Sequence, residues 1–410
     1  MKLTRRPSRT AILPMDHWTP SCRFFNLPAV QGIHRSPASQ ESMISARRLL
    51  FAVFILGCFF SAALYKVAPL QACTICVPYP ERTLADHLLE YDEIIFAREV
   101  ANSPYLFEQV ELIRGTGVSV PIKIFCDSST RRKLKFIPDS VVVLARTSDA
   151  DKWRKITFAD SEYQPFIRTI VEHGSNWADV AGNLGRVRYF SNYLTSEHRL
   201  IQEQAYLEVG RAPYSTIKTL APAIPTEQIY EFLGNFRFIE WHSLYILLLG
   251  QSQQPQDRAY IRKQVESAVR FATTTNLAAW LTAFIETHPE TGIGEIETWY
   301  FSHPGRSNDE LDQVMTSMSV LGSQPPVADL PLFPLRDRIV KSYATLLKHH
   351  PAMAGRVARD LSMWQVRAHL ERLTAIQKEK TLLDPADLYL INYYLSVVST
   401  FPRFDTGGMN

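Results

Sequence analysis

Glu93-Ile-Ile-Phe-Ala-Arg-Glu-Val100 and the run after it, Tyr105-Leu-Phe-Glu-Gln-Val-Glu-Leu-Ile113, set the fold class of the first half of the chain. The first run is short and rich in β-branched and aromatic residues. The second alternates, with Phe107, Val110 and Leu112 among its apolar positions, and stops at Arg114-Gly115. Val118–Phe125, Ser140-Val-Val-Val-Leu-Ala145 and Ile156-Thr-Phe158 repeat the pattern between Gly, Pro, Asn, Asp and Ser boundaries. Such lengths and boundaries predict strands. Four or five of them in about 75 residues predict a small barrel or sandwich, closed by a helix over Tyr163–His173.

Beyond Asn176 the period changes. Leu200, Ile201, Ala205 and Val209 fall on one face at helical spacing, and Pro213–Leu220 is the expected partner helix. Further helices are expected at 226–233, 241–249, 256–272, 276–287, 293–301, 309–321, 336–349, 352–364, 366–379 and 385–399, punctuated by Pro and Gly. Short paired helices over such a length suggest a solenoid. The stretch Thr195–Pro213, a helix with a central Ala followed by a second helix, is similar to a HEAT repeat. The later units drift and give no clean period, so a non-repetitive helical bundle is the alternative. The fold class is therefore α+β and multidomain: a β-barrel domain over 73–178, then an all-α domain over 183–400 and a tail at 401–410.

Upstream, Met43-Ile-Ser-Ala-Arg47-Arg48 precedes seventeen uncharged, mostly apolar residues, Leu49–Tyr65, and Leu70-Gln71-Ala72 leads into Cys73. A basic segment, an apolar core and a small residue describe a signal peptide over 43–72, with mature Cys73 exported to the periplasm, cell envelope or medium. Leu49–Tyr65 also meets the lower length for a membrane anchor if uncleaved. Ile55-Leu56-Gly57-Cys58 and Leu70-Gln71-Ala72-Cys73 resemble lipid-attachment boxes, which gives a third route to a membrane. Residues 1–42, rich in Arg, Pro and Ser, read as a disordered tail or as lying before the true start at Met43.

Export fixes the cysteine arithmetic. Cys22, Cys58, Cys73, Cys76 and Cys126 are present, and cleavage before Cys73 leaves three. Either Cys73 carries a lipid and Cys76 bridges to Cys126, or one of Cys73 and Cys76 bridges to Cys126 and the other stays free. A Cys73–Cys76 redox pair is a third arrangement, but it lacks the βαβ setting such a pair favours.

The charge balance sorts the partners. The whole chain carries +3, but residues 1–72 hold nine Lys/Arg against Asp16 and Glu41, so residues 73–410 carry −4. A domain-wide basic footprint for nucleic acid is missing. Arg131-Arg132-Lys133 with Lys135 is a local basic run, read as a solvated hairpin tip or as a patch for an anionic partner. Gly-rich phosphate loops, His-Glu-x-x-His and Gly-x-Ser-x-Gly do not occur. Glu240-Trp241-His242 and Lys348-His349-His350 hold ligand-type residues; adjacent helical positions point about 100° apart, so His349 and His350 cannot share one simple site, and these histidines read as surface residues. Trp280, Trp299-Tyr300-Phe301 and Tyr393-Tyr394 read as core. No cofactor is expected.

Cys73-Thr-Ile-Cys76-Val-Pro-Tyr-Pro, followed by Leu88-Leu-Glu-Tyr-Asp-Glu-Ile-Ile-Phe-Ala-Arg-Glu-Val100, resembles the start of a netrin-type domain, the OB-like fold of the tissue inhibitors of metalloproteinases. The resemblance spans about 60 residues. It implies that Cys73 could offer its α-amine and carbonyl to a protease zinc. This chain departs from the family in carrying Cys-x-x-Cys in place of Cys-x-Cys, with too few later cysteines for the family's disulfides. The expected function is an exported, non-enzymatic protein-interaction module with another protein as partner. The alternatives are metalloprotease inhibition through Cys73 and thiol redox chemistry through Cys73 and Cys76.

Overall fold

The structure, a computed structural model, describes Ile75 and residues 82–149, 152–177, 183–220, 224–324, 334–379 and 384–401. Within these, five strands form one antiparallel sheet: β1 (Glu93–Glu99), β2 (Leu106–Arg114), β3 (Ile122–Lys123), β4 (Val141–Arg146) and β5 (Arg154–Ala159). Their spatial order is β3-β2-β1-β4-β5. Register shifts in β1 at Ile94/Ile95 and Phe96/Ala97, and in β4 at Val143/Leu144, interrupt the pairing. Such bulges bend strands, and the sheet curls into a half-barrel.

The uninterrupted apolar run of β4 has a physical cause: the sheet is covered on both faces. Ile94, Phe96, Val141, Val143 and Ala159 join a core shared with the helices. Ile95, Ala97, Phe107, Val142 and Leu144 form a second core with Cys126, roofed by Val118, Ile122, Ile124, Leu134 and Trp153. Leu134 belongs to α2 (Ser128–Phe136), whose N-cap Asp127 accepts from the Thr130 amide at 2.9 Å. The basic run at Arg131–Lys135 is therefore a helix and not a hairpin tip.

On the other face lie α1 (Leu84–Glu90), started by a Thr83/Asp86 capping box, and α3 (Tyr163–Glu172). Arg114 at the end of β2 donates to the carbonyls of Leu88, Tyr91 and Val171, at 3.2, 3.1 and 2.9 Å. It thereby ties the open C-terminal ends of α1 and α3 to the sheet.

The chain continues through α4 (Gly174–Trp177), α5 (Leu184–Ser191), α6 (Arg199–Gly210), α7 (Tyr214–Lys218), α8 (Thr226–Leu233), a 3-10 turn (Phe236–Trp241), α9 (His242–Leu249), α10 (Pro255–Phe271), α11 (Leu277–Thr287), α12 (Gly292–Ile296), α13 (Asn308–Gly322), α14 (Pro334–His349), α15 (Ala354–Trp364), α16 (Leu370–Lys378) and α17 (Pro385–Val397). From α9 onward alternate helices are neighbours. α9 packs on α11, α11 on α13, α13 on α15 and α15 on α17, while α12 packs on α14 in a second row. The first-row members start 35, 31, 46 and 31 residues apart. A π-helical turn over Glu297–Phe301, closed by the Ser302 amide on the Glu297 carbonyl at 2.8 Å, continues α12.

The architecture is thus α+β, a curled sheet followed by many helices. One buried apolar network runs from Leu84 in α1 to Val398 after α17. Among the described residues no helix is long and apolar enough to cross a membrane. Leu49–Tyr65, Cys58, Cys73, Cys76 and the readings of 1–42 and 43–72 lie outside the described residues.

Candidate functional site

The sheet layer meets the helical array at α1, α3, α5 and α6, and two features are built there from neighbouring residues of α5. Asn183 caps α5, its Oδ1 accepting from the amides of Gly185 at 3.0 Å and Arg186 at 3.2 Å. One turn of helix then turns Arg186 and Phe190 inward and leaves Arg188 exposed.

Inward, Arg186 is 2% exposed. Its guanidinium donates to Glu208 Oε2 at 2.8 Å and Oε1 at 2.7 Å, to Asp86 Oδ1 at 2.8 Å and to the Trp177 carbonyl at 3.1 Å. Arg211 donates to the same two carboxylates, reaching Asp86 Oδ1 at 2.9 Å and both Glu208 oxygens at 3.0 Å. Thr83 donates its hydroxyl to Glu208, and the Leu84 amide donates to Gln204 Oε1 at 3.0 Å. Two arginines and two carboxylates thus close a buried ring joining α1, α5 and α6. Burial opposes the Asp86 charge, but Arg211, the Thr83 amide and Arg186 hold its carboxyl well below the usual carboxylate range.

Outward lies an open cleft of about 740 Å³ lined by His173, Trp177, Arg188, Tyr189, Asn192 and Leu220, among others. His173 stacks on Trp177 with ring centroids 4.7 Å apart, and Trp177 meets Tyr189 at 5.2 Å. Tyr189 meets Tyr193 at 5.2 Å, and Tyr193 meets Phe166 edge-on at 5.0 Å. Phe166 is itself 3% exposed, so the aromatic floor is anchored in the core beneath α3. Burial and the neighbouring Tyr193 push the Tyr189 hydroxyl above its ordinary range, so it stays neutral. An aromatic floor with an arginine at its rim suits a planar or acidic side chain presented on a chain segment.

The residues marked in the sequence are scattered by the fold. Cys126 is 2% exposed in the second core and has no disulfide partner among the described residues; its candidate partners Cys73 and Cys76 lie outside them. Burial raises its pKa, partly offset by Lys155. His242 is buried, with Nε2 3.1 Å from the Asn235 carbonyl. His349 is exposed while His350 is buried, so the two do point apart, but against the surface expectation both His242 and His350 are buried. Tyr300, Phe301 and Tyr394 are core, Trp280 and Trp299 are half-buried and Tyr393, expected in the core, is exposed; the Tyr394 hydroxyl bridges the Ala368 amide and carbonyl at 2.9 and 2.8 Å. Among the described residues no group of three His, Cys, Asp or Glu is placed to hold a metal.

Sequence reasoning missed the Asp86–Arg186–Glu208–Arg211 ring. Glu208 and Arg211 stand at i,i+3 next to the apolar face of α6, which marks them as unusual. Their partners lie 22 to 125 residues away and carry no local signal. No family model, curated protein or solved structure matches the chain.

Proposed function

We propose that the chain is an exported, non-enzymatic protein-interaction module of the cell envelope or medium, and that the junction cleft receives a segment of a partner protein. The observation that carries this reading is the pairing of the His173–Trp177–Tyr189 floor with exposed Arg188 in a wide-mouthed cleft, a shape suited to a side chain delivered from outside. Asp86, Arg186, Glu208 and Arg211, gathered at the same junction, are spent on one another in the buried ring. The curled sheet supports an OB-type, netrin-like first domain, and the two rows of helices support a HEAT-like array, which binds extended surfaces. Nucleic acid is not the expected partner.

A photo-crosslinker at exposed Asn192 of the exported chain tests the reading. A discrete protein adduct is expected, lost on Arg188→Glu. Turnover by the purified exported chain that disappears on a point substitution in the cleft overturns it. Inhibition of a metalloprotease through Cys73 requires an unmodified N-terminal Cys73, and thiol chemistry requires a reactive Cys73–Cys76 pair. The intact mass of the exported chain, with and without reductant, separates these two from each other and from a lipidated start.

A further inference from the structure

We infer that the layer roofing the second core, the segment 118–126 with α2, is a docking face for an anionic phospholipid bilayer. It is separate from the junction cleft, and neither proposal rests on the other. Period-two alternation sends Ile122, Ile124 and Cys126 into the core and turns Lys123 and Phe125 outward. Phe125 is 76% exposed and Val120 68%. On α2, Thr130 and Leu134 face inward, whereas Arg132, Lys135 and Phe136 share an exposed face at i, i+3 and i+4, with Phe136 72% exposed. Large apolar side chains so exposed beside cations mark a contact surface, not a solvated face.

The aromatic groups are held in place. Tyr105 adopts a left-handed φ of 65°, unusual for a bulky residue, with its amide on Glu99 Oε1 at 2.8 Å. Its ring stacks on Phe125 at 5.8 Å, and the Arg131 guanidinium lies 4.7 Å from the Tyr105 ring centroid, anchored to Glu99 at 2.9 Å.

Charge complementarity selects the occupant. From Val120 to Ile137 stand Lys123, Arg132, Lys133 and Lys135, with Arg131 paired to Glu99, against the single acid Asp127, which is paired with Lys155. This occurs within a chain whose residues 73–410 carry −4. Exposed phenylalanines interleaved with snorkelling Lys and Arg match the boundary between head groups and acyl chains. Sixteen residues, 66–81, separate the apolar run Leu49–Tyr65 from Arg82 in sequence, so a retained anchor keeps this domain close to a bilayer.

Hydrogen–deuterium exchange of the full chain, reconstituted in vesicles, tests the assignment. Amides of 120–137 should be protected in phosphatidylcholine with phosphatidylglycerol and unprotected in phosphatidylcholine alone. Added salt should remove the protection. R132E with K135E, and separately F125S with F136S, should abolish it while exchange of Val141–Arg146 stays unchanged, which controls for folding. Equal exchange of 120–137 in both vesicle types overturns the proposal. So does protection of 120–137 by a single-stranded oligonucleotide without any by anionic vesicles.

Discussion

Arg186 and Glu208, each 2% exposed, face one another through two parallel hydrogen bonds of 2.8 and 2.7 Å. The pair would be costly alone, but Arg211, Asp86, Thr83 and the Trp177 carbonyl satisfy its remaining positions. Removing one partner strands a charge in the core. Arg186→Met is expected to cost about 3–5 kcal/mol in urea unfolding, and Arg186→Met combined with Glu208→Leu to cost less than the sum of the two changes made separately. Additive losses would show that the two residues do not act as a pair.

Asp360 predicts a pH dependence. It is fully buried and accepts from Ser319 at 2.9 Å and Tyr343 at 2.8 Å, with Arg359 alongside. Burial outweighs these partners and raises its pKa. A carboxyl raised on folding favours the native state at low pH and loses that contribution as pH climbs from the unfolded value through the folded one. Asp360→Asn removes the titration. The stability of the variant relative to the parent should therefore rise with pH across this window, as read from urea midpoints at a series of pH values. A flat difference would refute it.

Gly250, at the end of α9, has ordinary right-handed helical geometry. Alanine there would normally be neutral or stabilising. A Cβ would instead stand 2.8 Å from both Cα and Cβ of Ala283 on α11. Gly250→Ala is expected to destabilise by about 1–3 kcal/mol, by denaturant midpoint. A gain would mean that α9 and α11 have room to separate.

Cys126 should be chemically inert in the folded chain. Burial disfavours the thiolate, which is the reactive form. Iodoacetamide is expected to leave the Cys126 peptide unmodified under native conditions with reductant present, and to modify it fully in denaturant. Rapid native labelling would place the thiol in contact with solvent.

Legibility of the sequence followed the range of the interactions. β4 was readable because five consecutive apolar residues are buried from both sides. Thr226–Leu233 was readable because Pro225 begins it and Gly234 ends it. α2 was missed because Arg131, Arg132, Lys133 and Lys135 hide its one inward apolar side chain, Leu134. The helices of the array were expected, but their period was not readable, for a different reason. Steps between 31 and 46 residues give no repeat length, since packing fixes which helices touch and leaves the connecting segments free. The ring around Arg186 was invisible because each partner taken alone resembles a surface charge.

That ring also sets a timetable. A chain that crosses a membrane N-terminus first delivers all five strands by Ala159, yet the carboxylate of Asp86 must wait for Arg211, 125 residues behind it. Until then α1, which covers the sheet face carrying Ile94, Phe96 and Val143, lacks its link to Arg211. On the export route proposed above, the lock between α1 and the end of α6 therefore closes only after Arg211 has emerged.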